Sequence, residues 1–186
     1  ASDVYKRQTV GWIRFYKEPS QINYPVVQGA DNDLYLHKTF SANENTLGAI
    51  FVDAAASSDF TDKNTIIYGH RMKDGSMFRK LEEYRDEDFW KENPYFYIYT
   101  PDGREITYKI YSVGQVLDTS DTYLTSFASD EEYQTFLDMT MKEADYDTGV
   151  KVTTDDTVVT LSTCTAASDE HRFVVRGVKE KEVELQ

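Results

Sequence analysis

Two β-branched segments near the C-terminus decide the fold class: residues 157–163 read TVVTLST and residues 172–178 read RFVVRGV. Short runs of this composition, bounded by polar loops, are typical of β-strands. Similar runs elsewhere in the chain predict further strands at residues 10–15, 22–27, 49–52, 65–68, 95–100 and 105–113. The turn Pro101-Asp102-Gly103 joins the last two of these into a predicted β-hairpin. The charged tail from Lys179 is interpreted as a strand end or a disordered segment.

Two segments with helical spacing interrupt the strands. Between residues 76 and 93, apolar residues recur at helical intervals up to Tyr84, and a second short turn is predicted around Phe89 and Trp90 before Pro94. A clearer helix follows Ser129. Ser129 and Glu132 form a capping-box pattern, and the helix is expected to end near Ala144. Because the strands do not alternate regularly with long helices, the sequence predicts a mainly β, closed or nearly closed, mostly antiparallel structure with helical insertions.

The composition limits the classes of partner. The chain has 186 residues and a formal net charge of −13, with 20 Lys and Arg against 33 Asp and Glu. This length predicts a single domain at residues 10–186, with residues 1–9 as a frayed or foreign end. The acid excess argues against nucleic acid and anionic membrane surfaces, because both attract clustered Lys and Arg. A single cysteine excludes an intramolecular disulfide and a four-thiolate metal site, and no apolar run approaches the roughly 20 residues of a membrane-spanning helix.

Cys164 and Arg172 are the first candidates for chemistry. If the two strands that flank residues 165–171 pair as antiparallel neighbours, Cys164 ends one strand and Arg172 begins the next at the same rim of the sheet. A guanidinium at that place can lower the pKa of a thiol or stabilise an oxyanion. Arg176, four residues further along the strand, would lie about 13 Å away and is too far to share this task. The alternative interpretation is a small buried Cys with a surface Arg nearby.

His70 is the candidate proton-transfer group. The apolar stretch Ile66-Ile67-Tyr68-Gly69 delivers it into a polar loop, and imidazole exchanges protons near neutral pH. The alternative is a hydrogen-bonded loop histidine. His37 and His171 are interpreted as structural or solvated, because neither ends an apolar strand.

These segments together resemble a class B sortase. The resemblance rests on TLSTC at 160–164 with Arg172 downstream, and on YGH at 68–70 followed by MKDGSMF at 72–78. GWI at 11–13, INYPVVQ at 22–28 and DNDLYL at 31–36 are similar to the same class. The resemblance implies a closed eight-stranded β-barrel with an N-terminal helical segment and a long helix between two late strands.

The resemblance also implies a role for each site residue. Cys164 would be the nucleophile, His70 the general acid and base, and Arg172 the group that stabilises the transition state. The residues implied to line the substrate groove, including its roof loop after the sixth strand, are Asn32, Leu36, Thr119, Tyr123, Leu124, Ser162 and Thr163. Neither a metal nor an organic cofactor is implied.

The implied function is that of a cysteine transpeptidase at the surface of Gram-positive bacteria. Such an enzyme cleaves a C-terminal sorting signal of the Leu-Pro-x-Thr-Gly or Asn-Pro-x-Thr type after Thr, through a thioester. It then transfers the protein to an amine of a cell-wall precursor. The catalytic domain would be extracellular and would meet the membrane only through an N-terminal anchor outside this chain.

Two other functions fit the same residues. A cysteine peptidase would use the same pair and release the acyl-enzyme to water, although papain-like enzymes place Cys before His, the reverse of the order here. A non-catalytic β-rich domain of the cell surface would merely bury Cys164. The two alternatives differ in whether substitution of His70, Cys164 or Arg172 abolishes function.

Overall fold

The computed structural model describes residues 9–32, 49–72, 74–164 and 170–186, and of Cys164 it describes only the backbone. Eight strands lie within these ranges. They are β1 (Thr9–Arg14), β2 (Asn23–Val27), β3 (Ile50–Val52), β4 (Asn64–His70), β5 (Tyr95–Tyr99), β6 (Arg104–Leu117), β7 (Val158–Cys164) and β8 (His171–Glu184). All eight predicted strand regions are therefore strands in the structure.

The strands close into a barrel in the order β1-β2-β3-β4-β7-β8-β6-β5. Most neighbours pair antiparallel, whereas β2 with β3 and β4 with β7 pair parallel. The prediction of a closed eight-stranded, mainly β architecture is confirmed. No helix in the described part of the chain combines the length and the apolar character needed to span a membrane.

The helical stretch predicted after Ser76 and the second short turn predicted around Phe89 and Trp90 are two short helices in the structure. A 3-10 helix covers Arg79–Arg85, and an α-helix, α1, covers Glu87–Glu92. Asp86 separates them, because its extended backbone ends the first helix and its side chain accepts a hydrogen bond from the amide of Asp88 at the start of the second.

The predicted long helix is α2, which covers Asp130–Lys142 between β6 and β7. Ser129 caps its N-terminus, since the Ser129 hydroxyl accepts from the amide of Glu132 at 3.2 Å. The Glu132 carboxylate reaches back to the amide of Ala128 at 2.9 Å, one residue before the position of a standard capping box. The expected N-terminal helical segment would fall on residues outside the described ranges.

The charged tail is part of the barrel. β8 continues to Glu184, because the second half of β8 pairs with the first half of β6, from Arg104 opposite Glu184 onward. Arg104 Nη1 donates to Glu182 Oε1 at 2.9 Å across this pair. The interpretation of this tail as a strand end is confirmed, and the disordered alternative is wrong; the tail is charged because the outer part of the β6–β8 pair is exposed to solvent.

Two apolar clusters support the sheet. The barrel interior is filled by fully buried side chains that include Ile13, Ile67, Phe96 and Val175. A second cluster joins α2 to the outer face of the barrel and comprises Tyr111, Tyr133, Phe136, Leu137, Val158 and Val178. Strands β4 and β7 are consequently covered on both faces over much of their length, which explains their continuous apolar sequences.

Candidate active site

The ends of three neighbouring strands bring the catalytic candidates to one rim of the barrel. β4 and β7 run parallel, and His70 is paired with Cys164 in their backbone register. β7 and β8 pair antiparallel from Val158 opposite Val178 to Ser162 opposite Val174, as expected from the sequence. Continuing that register by two residues places Cys164 opposite Arg172. The backbones of His70 and Cys164 are therefore adjacent, and Arg172 follows the end of the β7–β8 pairing by two residues.

The position of His70 depends on the glycine before it. A Cβ at Gly69 would lie 2.6 Å from the ring of Phe78 and from Ile50 Cδ1, so only glycine allows β4 to approach these side chains. The carbonyl of His70 accepts a hydrogen bond from the amide of Phe78 at 2.9 Å. This bond folds the chain after β4 back onto the strand end and fixes the backbone that presents the imidazole. The histidine is half-buried.

Arg172 begins β8 beside β6, where it pairs with Val116. Its side chain is 16% exposed, and its Nη2 atom lies 4.0 Å from the carboxylate of Asp118. Nη1 donates to the carbonyl of His171 at 3.0 Å. These contacts hold the guanidinium at the rim, next to the start of the segment that follows β6.

That segment, residues 118–129, is the roof loop, and Tyr123 joins it to β7. The Tyr123 hydroxyl lies 2.8 Å from the Ser162 hydroxyl, and its ring stacks on Tyr68 with centroids 6.2 Å apart and planes 9° from parallel. Because alternate residues of a strand share a face, position 164 falls on the same face of β7 as Ser162. Tyr123 thus covers the face of β7 to which position 164 belongs.

Asn64 anchors the roof loop to the barrel from below. This fully buried side chain donates to the carbonyls of Thr122 at 3.1 Å and Leu124 at 2.8 Å. Its oxygen accepts from the Thr160 hydroxyl on β7 at 2.8 Å. Asn64 was not predicted to be a functional residue. Its place at the start of an apolar run was nevertheless a signal, because a buried polar side chain needs a hydrogen-bond partner.

Arg176 holds the same loop from the other side. It is fully buried; Nη2 donates to the Thr122 hydroxyl at 2.9 Å, and Nη1 donates to the Ser112 hydroxyl on β6 at 2.8 Å. Nη2 also lies 3.4 Å from the carboxylate of Glu143, directly after α2. Desolvation lowers the pKa of this guanidinium. Arg176 therefore belongs to a loop-anchoring network and not to the rim, in agreement with its exclusion from the catalytic set.

The remaining groove candidates occupy different places. Asn32 accepts from the amide of Ala54 at 2.8 Å and donates to the Asp53 carboxylate, which also accepts from the Tyr68 hydroxyl at 3.3 Å. These bonds connect Asn32 to the Tyr68 and Tyr123 stack. Leu36 lies outside the described residues.

Thr119 and Leu124 are exposed on the roof loop, with Leu124 46% exposed despite its apolar side chain. The structure does not bring the Thr163 side chain to the face of Ser162. Thr163 is buried, and its hydroxyl accepts from the amide of Phe173 at 2.9 Å. Among the residues that the structure describes, no group of three or more His, Cys, Asp or Glu side chains is placed to hold a metal ion.

Comparison with known proteins agrees with this architecture. The model of the sortase domain family matches residues 18–180. Sortase B of Listeria monocytogenes serovar 1/2a is 37% identical over 175 residues, which are 92% of this chain and 69% of that protein. Sortase B of Staphylococcus aureus is 34% identical over 165 residues, 88% of this chain and 66% of that protein. The chain thus spans about two thirds of the length of these relatives.

A solved complex of Staphylococcus aureus sortase B with substrate has the same fold. It superposes with a TM-score of 0.89 at 30% identity, covering 97% of this chain and 84% of that one. The chain belongs to the sortase family of cysteine transpeptidases. Within that family, its relatives and its barrel place it in class B.

Proposed function

We propose that this chain cleaves a sorting signal after its threonine and transfers the new carboxyl end to an amine of the cell wall, with Cys164, His70 and Arg172 as catalytic residues. The observation that supports the proposal is the strand register: His70 is the partner of Cys164 across β4 and β7, and the pairing of β7 with β8 ends at Ser162 opposite Val174, two residues before Cys164 and Arg172. A nucleophile, a proton-transfer group and a cation at one rim are the three groups that acyl transfer through a thiol requires.

In the first half-reaction, the thiolate of Cys164 attacks the carbonyl carbon of the threonine. A carbon–sulfur bond forms, and the carbonyl oxygen becomes an oxyanion that Arg172 stabilises with its N–H groups. The carbon–nitrogen bond then breaks, and His70 gives its proton to the departing amine. The products are a thioester on Cys164 and the released C-terminal fragment of the signal.

In the second half-reaction, an amine of a cell-wall precursor attacks the thioester. His70 takes the proton from the attacking nitrogen, an amide bond forms, the carbon–sulfur bond breaks, and Cys164 leaves as the thiolate. The balance of atoms is complete without an oxidant, a metal or an organic cofactor. Water in place of the amine would give the peptidase reaction.

The substrate groove in this proposal runs along the outer face of β4 and β7, beneath the roof loop. Tyr123 and Ser162 would form a wall beside the nucleophile, with Asn32 connected to them through Asp53 and Tyr68. Leu36, which lies outside the described residues, is a proposed wall residue from the resemblance alone. Thr119 and Leu124 supply the exposed roof, where an apolar side chain of the sorting signal can pack on Leu124. Signals of the Leu-Pro-x-Thr-Gly and Asn-Pro-x-Thr types are the proposed substrates.

The sortase family is associated with the Gram-positive cell surface. We infer that this catalytic domain works outside the cell and is held to the membrane by an N-terminal anchor, as its family membership supports. The acceptor amine would then be presented by a peptidoglycan precursor at the same surface.

The test is cleavage of fluorogenic peptides of both signal types, with and without an added amine. We expect one type to be cleaved, with product that carries the amine when the amine is present. Cys164→Ala, His70→Ala and Arg172→Ala should each abolish cleavage while the circular dichroism spectrum remains that of the wild type. Cleavage that never yields an amine adduct would identify a peptidase, and full activity in the three variants would exclude this site.

A further inference from the structure

A small cleft beside Arg172 differs in charge from the rest of the molecule. It has a volume of about 170 Å³, and it is called the arginine cleft below; its walls include Arg71, Glu82, Arg85, Gln115, Thr163 and Arg172. Three guanidinium groups and one carboxylate line the cleft, in a chain whose formal net charge is −13, and a second carboxylate, that of Asp118, lies 4.0 Å from Nη2 of Arg172. An acidic protein that gathers arginines around one opening creates a local preference for anions.

Glu82 does not neutralise this cluster, because three arginines share its carboxylate. Arg71 Nε lies 3.1 Å from Glu82 Oε2, and Arg85 Nη2 lies 3.5 Å from Glu82 Oε1. Arg79, which is outside the cleft, approaches the same carboxylate at 3.5 Å. The side chains of Arg71 and Arg85 remain 32% and 44% exposed, and both line the cleft.

The guanidinium of Arg85 is held in place before any ligand binds. It lies over the ring of Phe173, 4.5 Å from the centroid, and Nη2 donates to the amide oxygen of Gln115 at 3.3 Å. A planar guanidinium fixed by stacking and by a hydrogen bond loses little freedom when it binds a carboxylate or a phosphate.

The arginine cleft adjoins the proposed catalytic residues. Arg71 follows His70 directly in the chain, and Thr163 directly precedes Cys164. Arg172 belongs both to the cleft and to the proposed oxyanion site. Because neighbouring strand residues lie on opposite faces, Thr163 does not face the thioester, and Arg172 is the residue through which a ligand in the cleft would reach it.

We propose that the arginine cleft is an anion subsite for the acceptor, and that it binds a carboxylate or a phosphate located close to the attacking amine. This inference rests on the proposed transpeptidase function, since it names the chemistry of the second substrate. Arg71 and Arg85 supply forked donors that match both kinds of anion, and Gln115 supplies a further polar wall. The anion contact orients the amine toward the thioester and raises the local acceptor concentration.

The kinetic test compares two acceptors that differ only in charge, triglycine and triglycinamide, at a saturating concentration of the donor peptide. We expect the wild type to use triglycine with a kcat/KM for the acceptor about three- to tenfold higher than for triglycinamide, the range of an exposed but forked ion pair. Arg71→Gln and Arg85→Gln should each lower this ratio toward one. Arg79→Gln is the matched control, because it removes a partner of the same Glu82 from outside the cleft, and it should keep the wild-type ratio.

A binding measurement tests the subsite without turnover. In the intact protein, triglycine should shift the Nε–Hε NMR signals of Arg71 and Arg85, whereas triglycinamide should not; inorganic phosphate in a separate titration shows whether the cleft also takes that anion. The proposal is overturned if neither triglycine nor phosphate moves these signals, or if the triglycine preference survives in the Arg71→Gln/Arg85→Gln double variant. Failure of every donor peptide to acylate Cys164 would instead count against the proposed function and leave the binding measurement to decide the subsite.

Discussion

Tyr123 connects the roof loop to the strand that ends in Cys164 through two contacts of different kinds. Its hydroxyl lies 2.8 Å from the Ser162 hydroxyl, and its ring stacks on Tyr68. The stack is extended by Phe51, whose ring centroid lies 5.2 Å from that of Tyr68. Tyr123 thereby fixes both the distance of the roof loop from β7 and the orientation of the loop.

At the residue scale, Tyr123→Phe separates these contacts, because the ring remains and the hydrogen bond is lost. A neutral hydrogen bond contributes about 1 kcal/mol, so we expect a three- to tenfold lower kcat/KM for the sorting peptide, measured by fluorogenic cleavage. Tyr16→Phe is the control. Tyr16 follows β1, and its exposed hydroxyl contacts that of Tyr99 on β5, on the side of the barrel away from β7. Equal losses in the two variants would show that Tyr123 has no special role in the groove.

The roof loop itself is an element held by two buried polar side chains. Asn64 binds its backbone carbonyls from β4, and Arg176 binds the Thr122 hydroxyl from β8. Neither anchor uses an apolar side chain of the loop, since Leu124 contributes only its carbonyl, so its exposed side chain is left available for substrate. The loop is rigid at its anchored turn because every one of these bonds is buried or partly buried.

Asn64→Asp tests the first anchor at the element scale. Aspartate cannot donate to the carbonyls of Thr122 and Leu124. We therefore expect the free energy of unfolding to fall by about 2 to 3 kcal/mol and the KM for the peptide to rise. Urea titration and peptide kinetics measure the two effects. Asn23→Asp makes the same chemical change at an exposed position whose oxygen accepts from Trp12, and it should be neutral in both.

Arg176→Lys tests the second anchor. Lysine keeps the charge, but it lacks the planar fork that reaches Ser112 and Thr122 at the same time. We expect the free energy of unfolding, measured with urea, to fall by about 2 kcal/mol or more, because at least one buried hydroxyl loses its guanidinium donor and the charge stays buried. A variant as stable as the wild type would contradict the network described for Arg176.

These anchors also show where sequence reasoning ends. The strands could be predicted because short β-branched, apolar runs are typical of buried strands. Helix α2 could be predicted from a local capping pattern. The roles of Asn64 and Arg176 could not be predicted, because their partners are distant in the sequence. Thr122 lies 58 residues from Asn64, and Ser112 lies 64 residues from Arg176. For the tail from Lys179, the sequence left a strand end and a disordered segment open for a related reason: its partner strand, and not its own charged sequence, makes it a strand.

At the scale of the whole molecule, buried tyrosines make stability sensitive to alkaline pH. Burial raises the pKa of Tyr84, Tyr108, Tyr111 and Tyr133 above the ordinary value of 10.0. In the unfolded chain these phenols ionise from about pH 10, whereas in the folded barrel they stay neutral. A group whose folded pKa is raised gives stability that is complete below its unfolded pKa and is lost as the pH rises through the folded value.

We therefore expect the urea midpoint to fall steeply above about pH 10, with four phenols contributing to the slope. Absorbance at 295 nm should show part of the phenolate signal only when the far-ultraviolet circular dichroism is lost. Ionisation of all 14 tyrosines while the barrel remains folded would contradict this account of the core.

The most direct test of the central claim is intact-mass measurement of the protein after mixing with a sorting peptide in the absence of an amine. We expect the mass to increase by that of the peptide fragment that ends in threonine. Fragmentation should locate this adduct on Cys164, and hydroxylamine should remove it. The Cys164→Ala variant should show no increase. An adduct on another residue, or cleavage of the peptide by Cys164→Ala at the wild-type rate, would contradict the assignment of Cys164 as the nucleophile.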